Sequence, residues 1–155
     1  MAGPVSPCWS DCRYCTSVSA GTSANLRRMI VDYPRIARTL LRDASITQLN
    51  ARAAARSLTP DEIKEEIDAG RPVIAGITPM SQANPLGPQH AVLIIGYDGD
   101  DDSMTLTVND PFPYTRPNPY LAVGAEGGQG QYTIDYRRFK NRLQWTETIY
   151  GISER

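Results

Sequence analysis

Hydrophobic and polar residues follow two different periods along this 155-residue chain, and the change falls near residue 70. In residues 23–43 the apolar side chains recur near every 3.6 positions, which predicts an amphipathic helix, with a break expected before Pro34. The stretch "ITQLNARAAARS", residues 46–57, favours an extension of this helical layer. The first part of the chain is therefore predicted to be helical.

The next helix has the clearest boundaries in the sequence. Thr59 is the predicted N-cap, Pro60 occupies the first helical position, and Glu62 completes a capping box. Gly70 is the predicted stop signal. We expect a short, well-defined helix directly before the period changes.

After residue 70, β-branched runs alternate with turn residues. "PVIAGIT", "HAVLIIGY" and "MTLTVND" predict strands, and "DGDDDS" predicts a tight polar turn between the last two. Residues 111–130, rich in proline and glycine, predict a long surface loop. A strand "QYTIDY", a helix "RRFKNRL" and a strand "WTETIYGI" follow. The order predicts one α+β domain over residues 1–155, with a helical part from about 8 to 70 and an antiparallel sheet from about 71 to 152.

Charge and hydropathy narrow the possible partners. Sixteen basic and seventeen acidic residues nearly cancel, so nucleic acid is not an expected partner. The apolar runs are far shorter than the roughly 20 residues of a membrane helix, so no membrane association is expected. "MAGPVSP" has no signal-peptide character, which predicts a cytoplasmic protein or export by a signal-independent route. Nothing in the sequence indicates an oligomeric state.

All three cysteines lie within "CWSDCRYC", residues 8–15. An odd number favours free or reactive thiols over a disulfide framework. Cys8 at a helix N-terminus would have its thiolate stabilised by the helix dipole, as a nucleophile requires. The spacing also resembles the iron–sulfur motif of radical-SAM enzymes, but this chain is too short and its elements are ordered differently. A zinc site would need a fourth ligand in addition to the three cysteines. A further alternative is that the cysteines are small buried side chains without a chemical role.

His90 is the only histidine, and it opens a predicted strand. If the following turn centres near residues 100–101, His90 lies opposite the neighbourhood of Asn109 and Asp110. A bulge would shift the pairing by one, so the sequence leaves both as candidate partners. An imidazole beside a carboxylate or amide is the base and orienter that a nucleophile needs, although the same contact also occurs as a purely structural one.

Four segments together, "LTPDEIKEEIDAGRPVIAGI", "QHAVLIIGYD", "LTVNDPFP" and "WTETIYG", resemble bacterial papain-like cysteine peptidases of the C39/C70 kind. The resemblance spans roughly residues 57–152. It implies a papain-like fold with a helical layer on an antiparallel sheet, and hydrolysis of peptide or protein substrates without a cofactor or metal. By matching position it implies that Cys8, in a Cys-Trp pair, is the nucleophile, His90 the general base and Asp110 its orienter.

The chain departs from that family pattern at two points. "CWSD" replaces the usual Cys-Trp-Ala-Ala, and the family's glutamine before the cysteine, an oxyanion donor, has no counterpart in "MAGPVSP". Gln89 and Gln82 are candidate substitutes without support from spacing. Loss of one such donor costs about 10²–10³ in rate elsewhere. Two alternatives therefore stay open: a weak or inactive binding module with the same fold, and transglutaminase-like acyl transfer by the same triad.

Overall fold

The computed structural model describes residues 23–78, 90–111, 120–128 and 130–155, with side chains from residue 25 onward. These residues form three α-helices: α1 Ser23–Leu40, α2 Pro60–Asp68 and α3 Tyr136–Arg142. They also form seven strands: β1 Leu49–Ala54, β2 Val73–Ile77, β3 His90–Asp98, β4 Thr105–Asn109, β5 Glu126–Gly127, β6 Gln131–Asp135 and β7 Glu147–Glu154.

All the strands described pair antiparallel in one sheet, in the order β1-β7-β2-β3-β4-β6-β5. One face of this sheet carries the hydrophobic core, which α2 and α3 cover with Ile63 and Phe139, both fully buried. Helix α1 instead packs against β1 and β7. The predicted α+β fold, with the first helix N-terminal and most of the sheet C-terminal, is confirmed.

The prediction that residues 46–57 extend the helical layer is wrong. Residues 49–54 form β1, an edge strand that pairs with β7. The alanines of this segment favour a helix, but the pairing is non-local and buries Ala51 between exposed Asn50 and Arg52. Tertiary contacts have overridden local propensity, so one strand of the sheet comes from the part of the chain that was predicted to be helical.

The predicted break at Pro34 is also wrong. Helix α1 runs without interruption from Ser23 to Leu40, with Pro34 inside it. Proline lacks the N–H that would bond to the carbonyl of Ile30, which normally costs a helix about 3 kcal/mol. Packing on β1 offsets that cost, and the Arg27 guanidinium adds a hydrogen bond of 2.7 Å to the Ala51 carbonyl.

The boundaries predicted for α2 from the sequence are confirmed in detail. Thr59 Oγ1 accepts from the Glu62 N–H at 3.3 Å, and the Glu62 carboxylate accepts from the Thr59 N–H at 2.8 Å. Gly70 has φ +72°, a left-handed conformation that a β-carbon would strain. Since the cap and stop are both local, the sequence could specify this helix without tertiary information.

The β3–β4 hairpin forms as predicted, with a shifted register. A turn centred near residues 100–101 would pair Leu93 with Val108, whereas Leu93 pairs with Asn109. The pairing is irregular between Ile94 and Gly96, where β3 contains one extra residue. Beside the turn Tyr97 pairs with Leu106, so the turn is centred one residue later than predicted and the offset there is two positions. The bulge reduces that offset to one position beside His90.

Residues 111–130 are only partly a surface loop. Beyond residues 112–119, which lie outside the described ranges, a short 3-10 helix at Leu121–Val123 leads into β5, which pairs with β6. Tyr120 and Ala125 in this segment are buried in the core. The loop prediction is therefore wrong for its second half, because two apolar side chains anchor it to the sheet.

A buried carboxylate joins the end of α2 to β7. Glu66 is 6% exposed, accepts two hydrogen bonds from Arg71 at 2.8 and 3.0 Å, and accepts another from the Gly151 N–H at 2.9 Å. Burial alone would raise the pKa of Glu66, but the Arg71 and Gly151 hydrogen bonds outweigh it, so the pKa lies below its usual 4.5. Glu66 is charged in the folded protein.

We expect Glu66→Gln to lower the free energy of unfolding by about 2 kcal/mol at neutral pH, because Arg71 then lacks its charged partner. Urea denaturation measures this. A carboxyl whose folded pKa is depressed stabilises the protein above its unfolded pKa and loses that effect as the pH falls. The difference between the two proteins should therefore shrink below about pH 4.

Glu62→Gln is the matched control. Arg56, foremost through its hydrogen bonds, holds the pKa of Glu62 at about 2. The pair is nevertheless solvent-screened, with 50% and 32% of the two side chains exposed, and glutamine can keep the capping box. The expected loss is below about 1 kcal/mol. Equal losses in the two variants would contradict a special contribution from Glu66.

Candidate active site

His90 and Asp110 meet at the end of the sheet where β3 begins and β4 ends. His90 Nε2 lies 2.6 Å from Asp110 Oδ1. The imidazole is 22% exposed, while the Asp110 side chain is fully buried. The ring is thus anchored to a carboxylate on one side and reaches solvent on the other.

Strand pairing explains how the sequence brings the two side chains together. On one side of β3, His90 pairs with Ile77; on the other, Leu93 pairs with Asn109, which places Val92 across from Asp110. His90 and Val92 share a face of the strand, so His90 is a diagonal neighbour of Asp110. The Asp110 N–H also donates to the Gly130 carbonyl at 2.8 Å, which fixes the backbone beyond the end of β4.

Asn109, the other sequence candidate for orienter, has a different neighbour. Its side chain points away from the core face, and Asn109 Oδ1 accepts from Gln131 Nε2 at 2.8 Å. Alternation along β4 places consecutive side chains on opposite faces, so only one of Asn109 and Asp110 can meet the imidazole. The described structure pairs His90 with Asp110.

The geometry assigns the two ring nitrogens different tasks. An ionised carboxylate only accepts hydrogen bonds, so Nε2 carries a proton toward Asp110. Nδ1 is then the nitrogen of the neutral ring that can take a proton from another group. This tautomer is the one a general base needs, and a buried carboxylate also stabilises the imidazolium that forms when the base is protonated.

An open cleft of about 530 Å³ lies beside Asp110, on the face of the sheet that α1 partly covers. Its walls combine the first turn of α1 with three neighbouring strands and the residues after β4: Leu26, Ile74, Ala91, Val92, Leu93, Asn109, Asp110, Pro111 and Gly130. Most of these side chains are apolar. In the sequence, the apolar residues on both faces of β3 indicate that neither face is simply solvated.

The remaining sequence candidates lie outside the described residues. These are Cys8, Cys12 and Cys15, together with Gln82 and Gln89. Within the described ranges, no group of three or more His, Cys, Asp or Glu side chains is arranged to hold a metal ion. No helix in those ranges is long and apolar enough to cross a membrane.

Comparison with known proteins agrees with the hairpin and the sheet. A model of the Peptidase_C39 like family matches residues 24–143, about three quarters of the chain. This chain belongs to the Peptidase_C39 like family. The match includes His90 and Asp110 and begins after the three cysteines. No curated protein and no solved structure matches the chain.

Membership of the Peptidase_C39 like family gives the chain a fold of the cysteine-peptidase kind. The His90–Asp110 contact occurs within the matched region, where the sequence resemblance expected a base and its orienter. The catalytic roles of Cys8, His90 and Asp110 stay predictions.

We expect nitrogen-15 NMR of the neutral ring of His90 to show the Nε2–H tautomer, because Asp110 accepts from that nitrogen. As this is the only histidine, its signals need no further assignment. In Asp110→Ala the Nε2 proton should lose its downfield position and exchange faster with water.

Asn109→Ala is the matched control, since it removes a similar side chain from the neighbouring position on the opposite strand face. The Nε2–H signal should persist there. A neutral ring protonated on Nδ1, or a signal lost equally in both variants, would contradict the described contact.

Proposed function

We propose that this chain is a cysteine peptidase that hydrolyses peptide bonds with Cys8, His90 and Asp110. The observation that carries the proposal is the 2.6 Å contact between His90 Nε2 and the buried Asp110 carboxylate in a member of the Peptidase_C39 like family. In that contact, Nδ1 of the oriented imidazole is the nitrogen that can act as the base. The group from which it would take a proton is a thiol.

The position of α1 supports Cys8 as that thiol. Leu26, in the first turn of α1, and Asp110 line the same cleft, so the chain leaves the start of α1 toward its N-terminus beside the site. Fifteen residue steps separate Cys8 from Ser23, and such a length of chain can span about 50 Å when extended. The sequence separation therefore permits the sulfur to reach the imidazole.

The proposed reaction runs in two halves. His90 Nδ1 takes the proton of the Cys8 thiol, and the thiolate attacks the substrate carbonyl carbon to form a tetrahedral oxyanion. The carbon–nitrogen bond breaks as the imidazolium returns its proton to the leaving amine, which leaves a thioester on Cys8. Water, deprotonated by His90, then attacks the thioester and releases the carboxylic acid and the thiol. Asp110 holds the ring and stabilises each imidazolium.

The cleft supports a peptide as the substrate. Its volume of about 530 Å³ is within the range of sites that bind small ligands or several residues of a peptide. The apolar walls suit side chains next to the scissile bond, and the open shape suits an extended backbone. The reaction requires no cofactor, because the thiol, the imidazole and water supply every atom and proton.

Alkylation with iodoacetamide tests the nucleophile. We expect Cys8 to react faster than free cysteine in a pH-dependent way, and that excess reactivity should vanish in His90→Ala. Turnover of a peptide library, followed by mass spectrometry, should fall by about 10³-fold or more in Cys8→Ala and in His90→Ala.

Cys12→Ala and Cys15→Ala are the matched controls, because they remove thiols from the same short stretch without touching the proposed triad. Both should keep turnover and the fast labelling of Cys8. Loss of activity in one of them, with Cys8→Ala active, would assign the nucleophile to another cysteine. Labelling of Cys8 no faster than free cysteine would favour the inactive binding module.

A second experiment tests the cleft as the substrate site. Ala91 is exposed and lines the cleft, so Ala91→Trp should narrow it and raise KM by about tenfold with kcat changed little. Ala53→Trp makes the same change at an exposed position of β1 outside the cleft. It should leave both constants unchanged, and an equal effect of the two variants would contradict this location.

A further inference from the structure

Tyr132 is a buried tyrosine next to the His90–Asp110 pair. It lies on β6, is 1% exposed, and among the described residues its hydroxyl has no hydrogen-bond partner. A buried hydroxyl without a partner destabilises a protein by about 1–3 kcal/mol, whereas phenylalanine would fill the same space without that cost. The hydroxyl therefore calls for an explanation in terms other than packing.

The sheet register places Tyr132 next to Asp110. Tyr132 pairs with Val108, and the N–H of Asp110 reaches the Gly130 carbonyl, so Tyr132 and Asp110 are diagonal neighbours on the core face. Tyr120 contacts Tyr132, with 5.2 Å between the ring centroids. The hydroxyl is thus buried, with Tyr120 and the Asp110 carboxylate as its electrostatic neighbours.

The electrostatics of Tyr132 agree with that placement. Burial, followed by the neighbouring Tyr120 and Asp110, raises the pKa of Tyr132 far above its usual range. The hydroxyl accordingly keeps its proton at neutral pH, and toward an ionised carboxylate it can only act as a donor.

A second hydrogen-bond donor would have a specific role beside the Asp110 carboxylate. An ionised carboxylate has about four acceptor positions, and Asp110 uses Oδ1 for His90 Nε2. If a second donor holds the carboxylate, the group cannot rotate away from the imidazole, and its negative charge is stabilised in the dry interior. Buried polar groups that do not bond each other directly are often joined by a single buried water.

We propose that Tyr132 is a positioning residue, whose hydroxyl donates through one buried water to the Asp110 carboxylate and so fixes the oxygen that accepts from His90 Nε2. The expected effect of Tyr132 on turnover rests on the function proposed above. The hydrogen-bond arrangement itself can be tested without any activity.

Tyr132→Phe is the test variant, with two readouts. The Nε2–H proton of the single histidine should shift and exchange faster with water, because Asp110 becomes less constrained. In the peptide assay, kcat should fall about three- to tenfold while KM stays unchanged, since Asp110 acts on the imidazole and the cleft is intact.

Tyr136→Phe is the matched control. Tyr136 is also a buried tyrosine, but its hydroxyl donates to the Leu58 carbonyl at 2.9 Å, away from the pair. This variant should lower the melting temperature and leave both the Nε2–H signal and kcat unchanged.

The outcomes separate the two proposals. A changed Nε2–H signal in Tyr132→Phe supports the positioning role, even if the wild-type protein proves inactive and the peptidase proposal fails. An unchanged signal, or an equal change in Tyr136→Phe, overturns the positioning role whether or not the protein is a peptidase. If Tyr132→Phe does not fold, a high-resolution crystal structure of the wild-type protein decides: ordered water within hydrogen-bond distance of both groups supports the proposal, and its absence overturns it.

Discussion

The contact between His90 and Asp110 depends on the antiparallel pairing of β3 with β4, and the rest of the site depends on that contact. The two residues are twenty positions apart in the chain, and the hairpin returns one to the other with a hydrogen-bonded ladder between them. Because the ladder fixes backbone separation and side-chain direction together, the imidazole is oriented by the sheet itself. Full burial of the carboxylate strengthens this orientation by keeping its charge out of bulk solvent.

The strands near the site use their two faces for different purposes. One face of the sheet carries the packed core, Tyr132 on β6 and the His90–Asp110 pair. The other carries Ala91, Leu93 and Asn109, which line the cleft beside α1. The cleft also reaches the end of the sheet, where Asp110, Pro111 and Gly130 line it, so a peptide lying in it would meet the imidazole around that end. The arrangement lets a rigid interior hold the base while the substrate side stays open to solvent.

Local signals predicted much of this fold, and non-local pairing accounts for the errors. The capping box at Thr59 and Glu62, the polar turn after Asp98 and the alternation in β2 are each encoded within a few residues. Strand β1 was missed because its alanines favour a helix until β7 pairs with them. The sequence narrowed the orienter to Asn109 or Asp110, but choosing between them required the register, which depends on the exact turn centre and on the bulge. Tyr132 carried no sequence signal, since its significance lies in a neighbour on another strand.

The extra residue in β3 near Ile95 has a consequence for how this hairpin can vary. It divides the ladder into a segment beside the turn and a segment beside His90, each with its own offset. Contacts such as Lys64 with Asp101 tether the turn to α2 independently of the distant end. The ladder at the tip therefore does not by itself determine which side chains face the core beside His90. The bulge lets one hairpin satisfy the geometry of its turn and the direction of its side chains at the far end with two different offsets.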